Sequence, residues 1–316
     1  MSMFRTIKKL DNHNKNVRLN KMKKSIKPFV FKVLNYKQIN TLRKIKWFFL
    51  NPFINDKKLI KKFHTTELEI RIIERILPKY FSQYQKRTIL DIGANIGGYS
   101  YYLAPIAASF KGTCIAFEPG MKTYNRLKKN IFHSNFSAER MALSNTNGTG
   151  DLYLPVSHGC SSLIKHPEFD GLKTESVPLM RLDDYINTNT IDDVGFIKID
   201  VEGHEFEVID GSVETINKFK PLILCESENR HILHTGRTTE MFLDYMKDLQ
   251  YNAYVFSKKD RKMRSVYEIT IPKNRSSLEY YYNFWLVPEN IEHHFHIWIN
   301  SLDFNQIIPK KISVYD

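Results

Sequence analysis

No stretch of about 18 apolar residues occurs in the 316-residue chain, so no transmembrane helix is expected from it. Lys and Arg stand near the start, but no apolar segment with a small-residue cleavage site follows, and nothing marks secretion. Cysteine is scarce. Cys114, Cys160 and Cys225 are odd in number, and no two share a metal-ligand spacing. Cys114 and Cys225 fall inside apolar strand-like runs, where a buried reduced thiol is expected, and a reducing, cytoplasmic compartment follows. Internal repeats are absent, and so is any nucleic-acid module signature, so no nucleic-acid partner is expected.

Charge is present but unevenly spread. Residues 1–63 carry 18 Lys and Arg against Asp11 and Asp56, whereas the remainder has 29 against 32 acids. The net +13 therefore belongs to the first fifth of the chain, and the nearly neutral body takes no substrate preference from it. Residues 1–63 also hold aromatic clusters such as Phe29-Val30-Phe31 and Trp47-Phe48-Phe49. They read either as amphipathic basic helices for an anionic membrane surface or protein partner, or as a solvated extension packing its aromatics on the body. The first reading would put the protein on the inner face of a membrane.

From residue 64 the pattern changes. Glu67–Leu77 has helical apolar spacing that stops at Pro78. Short apolar runs then alternate with helical ones. Strands are expected at 88–92, 113–117, 137–143, 193–199 and 221–225, and helices at 99–108, 121–132, 206–219 and 239–249. Residues 251–256 and 281–287 suit a closing antiparallel pair. Repeated β-α-β units predict an α/β fold with a doubly wound, mostly parallel sheet. The expected division is a basic extension (1–63), a catalytic domain (64–290) with an insertion over the active site (150–192), and a C-terminal tail (291–316).

In such a sheet ligands gather at the carboxyl ends of the strands. The first βα turn is Asp91-Ile92-Gly93-Ala94-Asn95-Ile96-Gly97. Gly93 permits a tight turn, and Gly97 lets the helix start press against the strand. The following helix N-terminus offers N–H groups to a carboxylate. Asp-x-Gly-x-x-x-Gly departs from the G-x-G-x-x-G of dinucleotide binders, which disfavours a nicotinamide oxidoreductase. An acidic group here suits the amino-acid end of S-adenosyl-L-methionine and would repel a pyrophosphate. Glu118, about 20 residues beyond Gly97, closes the next strand where a carboxylate can accept both ribose hydroxyls, and Pro119 fixes the turn after it. Leu143 and Ser144, after the third strand, sit where an adenine contact belongs. The third cluster is Lys198-Ile199-Asp200-Val201-Glu202-Gly203-His204-Glu205. Acidic residues there also suit a solvated helix start, but Asp200 directly follows a buried strand.

These blocks, with Ala142-Leu143-Ser144, Ser161-Ser162-Leu163, Arg181-Leu182-Asp183-Asp184 and Asn283-Phe284-Trp285-Leu286-Val287-Pro288, resemble the FkbM family of methyltransferases over roughly residues 67–288. The resemblance implies a class I, Rossmann-like enzyme that methylates hydroxyl groups, with sugars and polyketides as acceptors. It maps Asp91, Gly93, Asn95, Gly97, Glu118 and Ser144 onto cofactor contacts; Ala94, Pro119, Leu143 and Asp200 are expected to join them. It maps residues 200–204 onto the active-site edge, and it does not reach residues 1–63.

Methyl transfer is an in-line displacement, so alignment and a positioned base are what the chemistry needs. Asp200 is the expected site residue, with His204, Glu226 and Glu202 as catalytic candidates and His158 able to reach an acceptor from the insertion. Asp200, Glu226 and Asn229 offer oxygen ligands, and His293, His294 and His296 cluster in the tail, but no dedicated metal spacing is present and no metal is expected. An amino-group nucleic-acid methyltransferase would carry Asn/Asp-Pro-Pro-aromatic where this chain has Asp200-Val201-Glu202-Gly203. A non-catalytic binding protein on the same fold is the other alternative. The expected acceptor is a glycan or polysaccharide-precursor hydroxyl, with a non-sugar small molecule or a macromolecule as the alternative.

Overall fold

The computed structural model describes residues 56–154, 161–165, 173–271, 277 and 280–308. His158, Cys160 and all of residues 1–55 lie outside the described residues. The apolar runs form parallel strands because both faces are covered, which removes the need for alternation. They are β1 (Ile89–Ile92), β2 (Cys114–Phe117), β3 (Phe136–Glu139), β7 (Phe196–Ile199) and β8 (Leu222–Glu226). Between them come β4 (Ala142–Leu143), β5 (Gly148–Tyr153) and β6 (Thr174–Met180), which form a separate three-stranded sheet. The chain ends its strands with β9 (Tyr251–Ser257), β10 (Lys262–Ser265) and β11 (Asn283–Pro288). The main sheet runs β10-β9-β11-β8-β7-β1-β2-β3. From β3 to β8 all pairs are parallel, and β11 lies antiparallel between β8 and β9. The expected mostly parallel sheet with an antiparallel closing strand is therefore the observed one.

Eleven described helices flank it: α1 (Asp56–Thr66), α2 (Leu68–Tyr84), α3 (Ser100–Ser109), α4 (Met121–Asn130), α5 (Leu182–Thr188), α6 (Glu205–Asp210), α7 (Val213–Phe219), α8 (Asn229–Ile232), α9 (Thr239–Asp248), α10 (Glu292–Asn300) and α11 (Phe304–Ile307). Strand alternation sorts the core into two layers. Leu90, Ile92, Ile197, Ile199 and Ile223 face α5, α6, α7 and α9. Ile89, Cys114, Ala116, Phe196 and Leu224 face α2, α3, α4 and α10. Cys114 and Cys225 are buried free thiols.

Three local outcomes differ from the expected pattern, each for a physical reason. Helix α2 continues through Pro78 to Tyr84 because Tyr80 and Phe81, one turn on, are buried at 1% exposure. Their burial outweighs the roughly 3 kcal/mol cost of an internal proline. The third strand divides: β3 stays in the main sheet, while β4 turns away to pair with β6. The helix expected at 206–219 breaks at Gly211, where a Cβ would lie 2.0 Å from the Ser144 carbonyl oxygen. The tail is packed: Phe295, Trp298 and Ile299 of α10 join the core, and His294 Nδ1 lies 2.8 Å from Tyr84 Oη.

Candidate active site

The first βα turn is built by close approach. Gly93 has φ +80, and a Cβ there would stand 1.8 Å from the Asp200 carbonyl oxygen, so only glycine lets the ends of β1 and β7 meet. Asn95 also adopts the left-handed region, at φ 51. Gly97, at φ +94, makes room for Leu127 and Ile131 at the end of α4; the expectation that it faced the strand is corrected in that respect. The N–H groups of Gly93 and Ala94 both donate to Phe117 O at 3.0 Å. Asp91 sits beneath this turn. It accepts from Ser100 Oγ at 2.5 Å, which ties it to the first residue of α3. Burial pushes its carboxyl up, against the opposing pull of Ser100 and Lys198.

Glu118 joins the turn to β2. One carboxylate oxygen accepts from Asn95 N at 2.9 Å; the other accepts from Gly120 N at 3.0 Å and Thr123 Oγ1 at 2.7 Å. Burial raises its carboxyl, and those three bonds pull it back towards the ionised form. The carboxylate is thus held in place before any ligand arrives, with one lone-pair site left for a hydroxyl donor.

A cleft of about 620 Å³, its open mouth included, runs from this point along the sheet edge. Gly93, Asn95, Glu118, Pro119, Leu143, Asp200, Glu202 and His204 line it, together with Phe117, Met141 and Leu152. Of the residues expected at the site, Asp91, Ala94, Gly97, Ser144 and Glu226 are not part of this lining. Ser144 is nevertheless adjacent: its Oγ lies 3.0 Å from His204 Nε2. Burial lowers the His204 pKa, so the imidazole is neutral, although Glu207 pulls the other way. Glu207 Oε2 is 3.5 Å from Nδ1, and its other oxygen accepts from Arg237 at 2.8 Å. The imidazole is thereby committed to the Met141–Ser144 end of the cleft.

The opposite end is acidic. Asp200 is pushed up to about 6, chiefly by burial and further by Glu202 and Asp91, against the pull of Lys198 and His231. Glu226 is raised well above its ordinary range by burial and by Asp200. Lys198 was quoted in the sequence motif without a role, and the structure gives it one. It is fully buried, is paired across the sheet with Asp91, lies 5.0 Å from the Tyr99 ring centroid, and donates to Ile199 O. Burial works against its charge, but Asp200, Glu226 and Asp91 together raise its pKa. His231 was missed altogether. From α8 its Nε2 lies 2.8 Å from a carboxylate oxygen of Glu202, which itself sits at φ 54. No sequence spacing signals this pair, because α8 enters from beyond β8.

Two motif blocks find structural explanations. Ser162 Oγ donates to Glu202 O at 2.7 Å, while Ser161 and Leu163 line the cleft. Asp183 caps α7 instead of facing the cleft: it accepts from Thr215 N at 2.8 Å and Thr215 Oγ1 at 2.7 Å, and Arg181 pairs with it.

Gly93–Asn95 and Asp200–His204 leave adjacent strands at the point where the winding reverses, with a hydroxyl-accepting carboxylate one strand away. That arrangement is the ligand-binding switch point of a doubly wound α/β sheet, as in Rossmann-like enzymes. More narrowly, the chain belongs to the methyltransferase FkbM domain family, whose sequence model matches residues 91–253. A curated relative, the hexuronic acid methyltransferase AglP of Haloferax volcanii, is 24% identical over 134 residues. The alignment covers 42% of this chain and 53% of AglP, so the chain spans about half the length of the curated relative it matches. Among solved structures, methyltransferase FkbM from Methylobacillus flagellatus KT aligns with TM-score 0.37 and 17% identity, over 64% of this chain and 43% of that one. The O-methyltransferase from Bacillus cereus in complex with SAH aligns with TM-score 0.38 and 12% identity, over 83% and 97%.

Proposed function

We propose that the protein transfers a methyl group from S-adenosylmethionine to a sugar hydroxyl in a glycan or polysaccharide precursor. The observation that carries the cofactor half is Glu118, a buried carboxylate fixed by three donors and open to the cleft beside the Gly93–Asn95 turn. The family and the substrate class in AglP's name support the acceptor half.

When bound, the cofactor supplies an electrophilic methyl on a sulfonium. Glu118 would hold a ribose hydroxyl, the Gly93–Asn95 turn would seat the amino-acid end, and Met141, Leu143 and Leu152 would pack the adenine, with Ser144 and His204 at its edge. Asp200 is the base in this scheme. The Asp200 carboxylate would take up the proton of the acceptor hydroxyl. A carboxyl near 6 is poised for that transfer close to neutral pH. Glu226, pushed up by burial, stands beside Asp200 at the same edge, and Glu202 is set at the cleft by His231. The same reading keeps the protein in the cytoplasm, with basic residues 1–63 able to meet an anionic membrane surface or a protein partner. No described helix is long and apolar enough to cross a membrane.

Glu118→Gln tests the cofactor assignment. Losing one charged acceptor for the ribose is expected to weaken S-adenosylhomocysteine binding by about 10- to 100-fold, the equivalent of a charge-assisted hydrogen bond. Calorimetric titration reads this directly. Unchanged affinity would remove the ribose from Glu118 and with it the basis of the cofactor assignment.

A further inference from the structure

Because β11 is antiparallel to β8, it begins where β8 ends. Its first residue, Asn283, pairs with Glu226, and the residue after Ile199, itself paired with Cys225, is Asp200. Asp200, Glu226 and Asn283 therefore form one row across the carboxyl edge, leading away from the cofactor cleft. At about 4.8 Å per strand, Asn283 lies roughly 10 Å from Asp200. That is the span of a sugar ring with its substituents.

Two features of this row call for a ligand. Asn283 is 8% exposed, and among the described residues its Oδ1 has no hydrogen-bond partner. A buried amide oxygen without a donor is costly unless something supplies one. Beside it stands the Glu226 carboxyl, which burial raises above its ordinary range. The chain just before Asn283 adds aromatic walls. Tyr280 and Tyr282 are partly exposed, with ring centroids 6.4 Å apart. Their positions are anchored: Ser227 N donates to Tyr282 O at 2.8 Å, and Tyr280 Oη donates to Glu228, which Arg230 grips with two nitrogens.

We propose that Asn283, Glu226, Tyr280 and Tyr282 form the acceptor subsite and that it takes a pyranose ring. The hydroxyls of such a ring donate to Asn283 Oδ1 and hydrogen-bond with the Glu226 carboxyl. Its C–H face lies on a tyrosine ring, whose apolar body and polar tip suit a partly wet site. The hydroxyl to be methylated then falls at Asp200. This inference rests on the sugar-methylation reading.

The test uses the full chain saturated with S-adenosylhomocysteine, and saturation-transfer NMR titrations with methyl β-D-glucopyranoside and methyl β-D-glucopyranosiduronate. Transfer to ring protons of either glycoside is expected, with affinity falling at least fivefold in Asn283→Ala and in Tyr282→Ala. Asn283→Ala should also melt no lower than the parent, since it removes an orphaned acceptor; a merely structural asparagine would show the reverse. Equal sugar affinity in Asn283→Ala, or no transfer from the parent while S-adenosylhomocysteine binds, overturns the subsite alone. Failure of S-adenosylhomocysteine itself to bind overturns the methyltransferase reading together with the subsite.

Discussion

Lys198→Met is expected to destabilise the protein by about 3–5 kcal/mol, the cost of removing one partner from a buried charge cluster. Methionine matches the length of the side chain and its apolar packing, so little of the loss comes from a cavity. What goes missing is the ammonium that Asp91, Asp200 and Glu226 share in a fully buried position. Left without it, those carboxyls can relieve their repulsion only by taking up protons. The folded variant then binds more protons than its unfolded chain, and its stability falls as pH rises. The deficit relative to the parent should therefore be larger at pH 8 than at pH 5.5. Urea unfolding at the two pH values measures it. Equal stability of variant and parent at pH 8 would mean that the lysine does not neutralise this edge.

The same cluster shows how much of the site was legible beforehand. Gly93, Glu118 and Asp200 could be found because each directly follows a buried strand, and a parallel sheet collects such positions at one edge. Lys198 sat in the quoted motif but carried no role, since a lysine inside Phe196–Ile199 has meaning only once Asp91 is known to lie beside it. His231 and Asn283 are further removed. Their contacts with Glu202 and Glu226 depend on where α8 and the antiparallel β11 return, which no local spacing encodes. The fold followed the same division. Strand positions were readable from apolar runs, whereas the split of the third strand and the break at Gly211 are set by tertiary neighbours, the pairing of β4 with β6 and the Ser144 carbonyl. Asp183 shows the converse: it belongs to a recognisable block, yet it caps a helix and is remote from the chemistry.

Glu205 supports a second strong prediction, because a carboxyl beside the active-site loop holds its proton at neutral pH. It is 1% exposed; one oxygen accepts from Gly203 N at 2.9 Å, and the other has no partner among the described residues. Burial pushes it from an ordinary 4.5 up to about 8, with Glu202 and Asp200 adding to the rise and the Gly203 bond opposing it. Between those two values the folded protein keeps a proton that the unfolded chain has released. Stability is thus highest below about pH 4.5 as far as this group is concerned, and declines with a slope approaching about 1.4 kcal/mol per pH unit up to about 8. Glu205→Gln keeps the shape and the acceptor for Gly203 N but has nothing to titrate. It should be more stable than the parent at pH 8 by a few kcal/mol, with the advantage shrinking steadily toward pH 5. Urea midpoints at four pH values across that range decide the matter. Parallel curves for parent and variant would show that Glu205 is ionised in the folded state, and would require a donor for its second oxygen.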